Sequence, residues 1–359
     1  MSASLAALNE QDAMRRAMAL AERGWGRVHP NPLVGAVVLR DGRVIGEGWH
    51  AEYGGLHAEP MALQAAGPNA RGAPLVVTLE PCGHYGKQPP CVDAIIASGI
   101  VRVVIGMTDP NPEATGGIAR FKSGGMKVTT GVLEDEVRRQ NVRFTRRFEG
   151  HRRPYVAVKL AVTMDGMIAD RHGQSKWISG DEARAWVQHL RAGYAAIGVG
   201  AETAITDDVR LTVRGPVEPR IAPTRVIFDR TGRLPRDHGI LADAGDVPVV
   251  IVRDPSATSA APEGDGVSVL SAADLDSALE QLAGLGLDAI LVEGGGRLAG
   301  ALLRDGLVDR IYQVQSPAWL GRGRPAWSEL GERRIGDAIR WRIVDRMPLG
   351  DDTLLVLEP

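Results

Sequence analysis

The sequence predicts an α/β protein of two domains, residues 1–149 and 150–359, on three observations. Its 359 residues exceed the usual size of a single hydrophobic core. Apolar runs of strand length alternate with helix-period segments through both halves. The alternation pauses once, in the polar stretch Glu149-Gly150-His151-Arg152-Arg153-Pro154, before a strong apolar run restarts at Tyr155.

Along the first half, Asp12 to Arg23 carries Met14, Ala17, Met18 and Ala21 at helical spacing, and Leu33 to Leu39 reads as a buried strand. Asp41-Gly42 marks a hairpin, because glycine tolerates positive φ, and Arg43 to Trp49 is the returning strand. Helix Ala58 to Ala66, strand Pro74 to Leu79, helix Cys91 to Ser98, strand Val101 to Gly106 and a longer helix Gly131 to Phe148 follow. The second half predicts strand Tyr155 to Val162, helix Asp181 to Arg191, and strands Tyr194 to Gly200, Thr224 to Asp229 and Val247 to Val252. After a surface loop rich in small and polar residues, Asp254 to Gly266, come helix Ala272 to Ala283, strand Asp288 to Val292 and helix Arg297 to Leu303. The strand-rich segments Asp309 to Val314 and Trp341 to Leu357 close the chain.

Composition narrows the function. Hydrophobic residues at 44% and charged residues at 24% are the balance of a folded soluble protein. A formal net charge of -2 gives no general attraction to polyanions, so no nucleic-acid partner is expected. The N-terminus is interrupted by Asn9, Glu10, Asp12, Arg15 and Arg16, which leaves no signal-peptide core, and no apolar run approaches the length of a membrane span. A cytoplasmic protein without a membrane partner is expected. The only cysteines, Cys82 and Cys91, point to metal or redox chemistry rather than a disulfide framework.

His57-Ala58-Glu59 stands at the start of a predicted helix, Pro81-Cys82 follows a strand, and Cys91 opens the next helix. Zinc favours thiolate and imidazole in a tetrahedron, and a catalytic zinc keeps one position for water. His57, Cys82 and Cys91 supply three ligands and use both cysteines. Glu59, two residues from the histidine, is placed to shuttle protons between that water and a leaving amine. The pattern matches the nucleobase-deaminase signature H-x-E with P-C-x-x-C, except that eight residues, Gly83 to Pro90, separate the cysteines. A structural zinc site would need a fourth protein ligand, for which His84 is the nearby alternative.

These residues, with His29-Pro30-Asn31-Pro32-Leu33-Val34-Gly35, Thr78-Leu79-Glu80-Pro81-Cys82, Pro89-Pro90-Cys91 and Asp109-Pro110-Asn111-Pro112, closely resemble the deaminase half of the bifunctional riboflavin-pathway deaminase/reductase family. The long segment between the cysteines is usual there. The resemblance implies a cytidine-deaminase-like three-layer αβα domain with one zinc per chain. The implied substrate is a diaminopyrimidine ribosylamine phosphate, which loses its amine to become a uracil. It further implies Asn31 as a contact to the base and Lys87 as a contact to the substrate phosphate. The stretch Glu113 to Ile118 departs from the family's usual segment, which puts the pocket edge in question.

In the second half, Gly294-Gly295-Gly296-Arg297-Leu298-Ala299 follows a strand and opens a helix, which turns backbone N–H groups toward an anion. The stretch scans as G-x-G-x-x-A but lies too late in the chain for a Rossmann domain. Lys159 to Gly166, Ser175 to Ser179, Leu190-Arg191, Thr203 to Arg214 and Val292 to Gly295 resemble the reductase half of the same family, in the family's order. That likeness implies a dihydrofolate-reductase-like α/β domain using NADPH. It places Val162, Trp177, Thr203, Asp207 and the turn Gly295, Gly296, Arg297, Leu298, Ala299, Gly300 and Ala301 at the cofactor. Ser175, Arg191, Leu211, Arg214 and Glu293 then lie at the substrate. Arg191 and Arg214 suit a phosphate monoester and Glu293 suits ribose hydroxyls. Lys159 would move protons while the ribose ring opens, and Arg230 is the alternative to a merely solvated arginine for the cofactor's extra phosphate. Val209 and Met167 depart from the family pattern, which puts fine contacts in question.

A competing reading is a deaminase of RNA or of another pyrimidine, with a non-catalytic second domain. Its motive is Arg138, Arg139, Arg143, Arg146, Arg147, Arg152 and Arg153 interleaved with Phe144 and Phe148. The alternative is a helix with solvated arginines and both phenylalanines packed inward, which the near-neutral charge favours. The partners expected are therefore a phosphorylated pyrimidine and, from the family, further copies of the chain in a dimer or tetramer.

Overall fold

Asn9 starts the first helix, α1 (Glu10–Ala21), by accepting a hydrogen bond from Asp12 N at 2.9 Å. The computed structural model describes residues 7–359, so the first six residues of the N-terminal stretch read for an export signal lie outside it. Two units divide after Gly150. In the first, β1 (Gly35–Arg40) and β2 (Arg43–Trp49) join through Asp41 and Gly42, whose φ values of 52° and 71° are those of a two-residue hairpin turn. There follow α2 (Ala58–Ala66), β3 (Pro74–Leu79), α3 (Cys91–Ser98), β4 (Arg102–Met107), α4 (Gly117–Ser123), β5 (Lys127–Thr130), α5 (Glu134–Gln140) and α6 (Val142–Arg146). The strands form one sheet in the order β2-β1-β3-β4-β5.

Alternation within these strands builds two cores. Ala36, Val38, Leu75, Val77, Val103 and Ile105 face α2 and α3, while Val37, Leu39, Val76, Val104 and Met107 face α1 and α5. The result is the three-layer αβα arrangement. Helix α2 lies unusually close to β2. A Cβ on Gly48 would come 2.2 Å from Ala58 O, and one on Gly46 would come 2.3 Å from Ala62 O. The two glycines thereby bring the N-terminus of α2, with His57 and Glu59, down onto the sheet.

The single helix predicted from Gly131 to Phe148 is broken at Asn141. Its buried carboxamide accepts from Leu33 N at 2.8 Å and donates to Leu33 O at 3.0 Å, which holds Asn141 at φ -103° and ψ 18°, outside the helical region. Two flanking arginines serve the same loop: Arg147 donates to Pro30 O at 2.8 Å, and Arg143 Nη2 stands 3.4 Å from His29 Nδ1. Phe144 packs into the α1 core, but Phe148 remains 37% exposed, contrary to the expectation that both face inward. The arginine stripe is thus partly a brace for the loop that carries Asn31. Asn141→Ala should lower the stability of this unit by about 2–4 kcal/mol, since it strands a buried backbone donor and acceptor. An unchanged urea midpoint would contradict this.

The second unit contains β6 (Tyr155–Val162), β7 (Met167–Asp170), α7 (Asp181–Ala192), β8 (Ala196–Gly200), α8 (Ala201–Asp207), β9 (Thr224–Phe228), β10 (Val249–Arg253) and β11 (Val267–Ser271). It continues with α9 (Leu275–Gly284), β12 (Ala289–Glu293), α10 (Gly296–Arg304), β13 (Arg310–Gln315), β14 (Gly323–Pro325), β15 (Arg342–Leu349) and β16 (Asp352–Glu358). The nine-stranded sheet has the order β11-β10-β9-β8-β12-β6-β13-β16-β15. It is parallel from β11 to β13 and antiparallel through β16 and β15. Strands β7 and β14 make a separate ribbon. Helix α9 begins one turn later than predicted, because Asp274 accepts from Ser277 N at 2.8 Å and caps it, which frees Ala272 to follow β11. Short apolar runs such as Val156, Val158, Leu160 and Val162 point to one face, against α9 and α10.

Candidate active sites

Both sites lie where strands end and helices begin. In the first unit His57 caps α2 with an extended backbone, Cys82 follows β3, and Cys91 is the first residue of α3. The ligand atoms of His57, Cys82 and Cys91 all lie within 4.8 Å of one another. His57 Nδ1 is 3.2 Å from Cys91 Sγ and 3.7 Å from Cys82 Sγ. Tetrahedral zinc with ordinary bond lengths places such nitrogen and sulfur atoms about 3.5 Å apart, so this donor set fits zinc. The hydrogen bond from Cys91 pulls the Cys82 thiol down to about 4 and in turn pushes Cys91 up; a zinc ion would take the place of that shared proton. Helix N-termini behind His57 and Cys91 favour negative charge there. Among the described residues no fourth ligand joins the cluster, and His84 lines the neighbouring cavity instead. A three-ligand centre is the catalytic pattern rather than the structural one.

That cavity, about 240 Å³, is lined by Asn31, His50, Glu59, Lys87 and Asp109, among others. Glu59 is 3% exposed, and burial pushes its carboxyl above the ordinary range. Asn31 Nδ2 lies 3.0 Å from His50 Nε2, and His50 Nδ1 lies 3.0 Å from Leu56 O. Since a carbonyl can only accept, Nδ1 carries the proton and Nε2 accepts from Asn31. Burial also lowers the His50 pKa, which keeps the ring in that neutral tautomer. Glu80, itself buried, accepts from Ile118 N at 3.1 Å and from Asp109 N at 3.4 Å. It ties the loop after β4 to the strand that presents Cys82. Burial raises Asp109 to about 6. Sequence reasoning assigned no role to His50, Tyr53, Glu80 or Asp109, because the contacts that join them to Asn31, Lys87, Ile118 and one another form only in the fold.

The second site is a cleft of about 1880 Å³ at the carboxyl ends of β6, β8, β9, β10 and β12, where ligands of open α/β sheets bind. Lys159 and Glu293 are partners on neighbouring strands. From the last turn of α7, Arg191 reaches Glu293 with Nε at 2.6 Å and Nη2 at 2.8 Å, and Thr212 O with Nη1 at 2.9 Å. Burial alone would raise the Glu293 carboxyl, but Arg191 and Lys159 outweigh it and hold it below its ordinary value. Burial lowers Lys159. Arg191 and Glu293, expected to meet a phosphate and a ribose separately, are therefore each other's partners.

Trp177, Thr203, Asp207, Ser175, Leu211, Arg214, Arg230, Gly295, Gly296, Arg297, Leu298 and Ala301 all line this cleft. Val162 does not: it packs in the core, and the adjacent Ala161 faces the cleft. Ala299 is buried in the same core, and a Cβ on Gly300 would come 2.7 Å from Glu329 N, so both serve the packing of α10. Trp177 is 71% exposed, with the Arg184 guanidinium 4.5 Å from its ring centroid. Arg230 stands at the rim, 3.5 Å from Asp254. Gly296 has a specific reason to be glycine, since a Cβ there would lie 2.4 Å from Pro325 O.

Two families match the chain: the cytidine and deoxycytidylate deaminase zinc-binding region over residues 8–107, and the RibD C-terminal domain over residues 154–355. The riboflavin biosynthesis protein RibD of Aquifex aeolicus is 38% identical over 351 residues, which cover 96% of this chain and 97% of that protein. RibD of Escherichia coli is 36% identical over 370 residues, covering 98% and 99%. Among solved structures, the diaminohydroxyphosphoribosylaminopyrimidine deaminase/5-amino-6-(5-phosphoribosylamino)uracil reductase of Thermotoga maritima is 38% identical and covers 98% of both chains with a TM-score of 0.83. Acinetobacter baumannii RibD, at 35% identity and the same coverage, gives 0.80. In sequence, fold and order of domains alike, the chain belongs to the RibD family, which joins a zinc-dependent deaminase to an NADPH-dependent reductase in riboflavin biosynthesis.

Proposed function

We propose that residues 1–149 deaminate a diaminopyrimidine ribosylamine phosphate and that residues 150–359 then reduce the ribose of the resulting aminouracil to ribityl with NADPH. The observation that carries this is a buried glutamate beside a three-ligand His-Cys-Cys cluster that opens onto a cavity. Zinc, when bound, supplies the Lewis acidity that activates a water for attack, and NADPH supplies the reducing equivalents. Glu59 takes a proton from the water and returns it to the amine, which leaves as ammonia. With its NH2 group committed to His50, Asn31 offers its carbonyl oxygen to a donor on the base. Lys87 takes the phosphate.

In the reductase cleft, Lys159 is the group that gives and receives protons as the ribose opens, since burial brings its ammonium nearer to neutral. The Arg191–Glu293 pair gives the substrate a rigid polar wall, with Ser175, Leu211 and Arg214 around it. The start of α10, with Gly295, Gly296 and Arg297, faces the cofactor phosphates, and Arg230 faces the 2′-phosphate. Trp177, Thr203 and Asp207 complete the cofactor side.

Incubation with the diaminopyrimidine ribosylamine phosphate should release ammonia without NADPH, and added NADPH should then be oxidised only after ammonia appears. Ammonia released from a structured RNA but not from the mononucleotide would overturn the reading. We further place the chain in the cytoplasm as a homo-oligomer. In support, no helix among the described residues is long and apolar enough to cross a membrane, and edge strand β15 exposes Ile343 and Met347. A monomer mass by light scattering would contradict the assembly.

A further inference from the structure

The eight residues between the cysteines do more than space the ligands. Gln88 Nε2 donates to Gly54 O at 3.0 Å, and Lys87 Nζ stands 4.0 Å from the centroid of the Tyr53 ring. The Lys87 stem runs along Gly54: a Cβ added there would meet Lys87 Cδ at 3.7 Å. The segment that leads to Cys91 is therefore docked on the segment that leads to His57. Tyr53, Gly54, Lys87 and Gln88 all line the deaminase cavity with His57, Glu59 and Cys82.

We propose that Tyr53 is a positioning residue of the deaminase, whose ring face holds Lys87 at the cavity for the substrate phosphate without cancelling its charge. The choice of partner matters. A carboxylate holding the same ammonium would neutralise it and would have to be displaced when a phosphate dianion arrives. An aromatic face attracts the cation through its quadrupole, adds no net charge, and stays in place when the phosphate binds. A lysine on a flexible four-carbon stem is otherwise spread over many rotamers, so confinement by Tyr53 and Gly54 removes part of the ordering cost of binding.

The inference rests on Lys87 as the phosphate contact, and a double-mutant cycle separates the two claims. Ammonia release would be followed as a function of substrate concentration, since KM does not depend on the fraction of enzyme that is folded and zinc-loaded. Tyr53→Leu should raise KM roughly 3- to 10-fold, with kcat moving less, and Tyr53→Phe should restore KM because the ring face remains. Inorganic phosphate should inhibit Tyr53→Leu correspondingly more weakly than the parent enzyme. In a Lys87→Met background, Tyr53→Leu should add no further increase in KM. If Lys87→Met alone leaves KM unchanged, the phosphate role of Lys87 fails. If Lys87→Met raises KM but Tyr53→Leu raises it again by its full factor, Lys87 keeps its role and the positioning role of Tyr53 is overturned.

Discussion

Glu59→Gln is expected to lower ammonia release by about 10²- to 10⁴-fold, the range that positioned proton transfer contributes, while zinc content stays at one per chain. Glutamine keeps the volume of a side chain that is 3% exposed, so the fold and the cavity walls should persist. It cannot take a proton from water at neutral pH, and the amine then has no acid to leave with. The three ligand atoms that cluster belong to His57, Cys82 and Cys91, not to Glu59, so metal retention is a real discriminator. NADPH oxidation with the aminouracil intermediate should be unaffected, because every residue lining the second cleft lies beyond His151. Ammonia assay and elemental analysis on the same sample check this. Undiminished deamination would remove Glu59 from the mechanism.

The second large effect is expected in the reductase. Glu293→Ala leaves the Arg191 guanidinium and the Lys159 ammonium in the same cleft without the carboxylate that offsets their charge. Arg191 and Glu293 side chains are 12% and 11% exposed, so solvent screens little of that charge. Breaking such a pair costs about 3–5 kcal/mol, which should appear as an earlier unfolding transition for the second unit. Burial lowers the Lys159 pKa and Glu293 raises it, so loss of the carboxylate should push Lys159 further down and weaken it as a proton donor. NADPH oxidation should fall to background while ammonia release continues. Calorimetry with the two assays checks the prediction; normal reduction by the variant would show that the pair is only structural.

Much of this was legible in the sequence because the signals are local. Strands β2, β3 and β6 and helices α2 and α3 begin and end where apolar runs and turn residues place them. His57, Cys82 and Cys91 were legible because zinc chemistry restricts residue type and count, and the strand and helices between them carry clear periodicity. What escaped depends on partners far away in the chain. Asn141 breaks a helix through Leu33, 108 residues distant, and Arg191 meets Glu293 across 102 residues. Helical periodicity carries no trace of either. Val162 illustrates a different limit: side chains alternate along a strand, so an error of one residue exchanges Ala161 at the cleft for Val162 in the core. His50 escaped because its role is to orient Asn31, and a lone histidine at the end of a strand gives no sequence signal for that.

Deamination here depends on a zinc with three protein ligands beside Glu59. Zinc K-edge X-ray absorption of the purified enzyme tests it most directly. The expected result is one zinc per chain with two sulfurs at about 2.3 Å and two nitrogen or oxygen neighbours at about 2.0 Å, one of them exchangeable solvent. A chain that binds no zinc, or a zinc closed by a second histidine with no solvent in its shell, would contradict it.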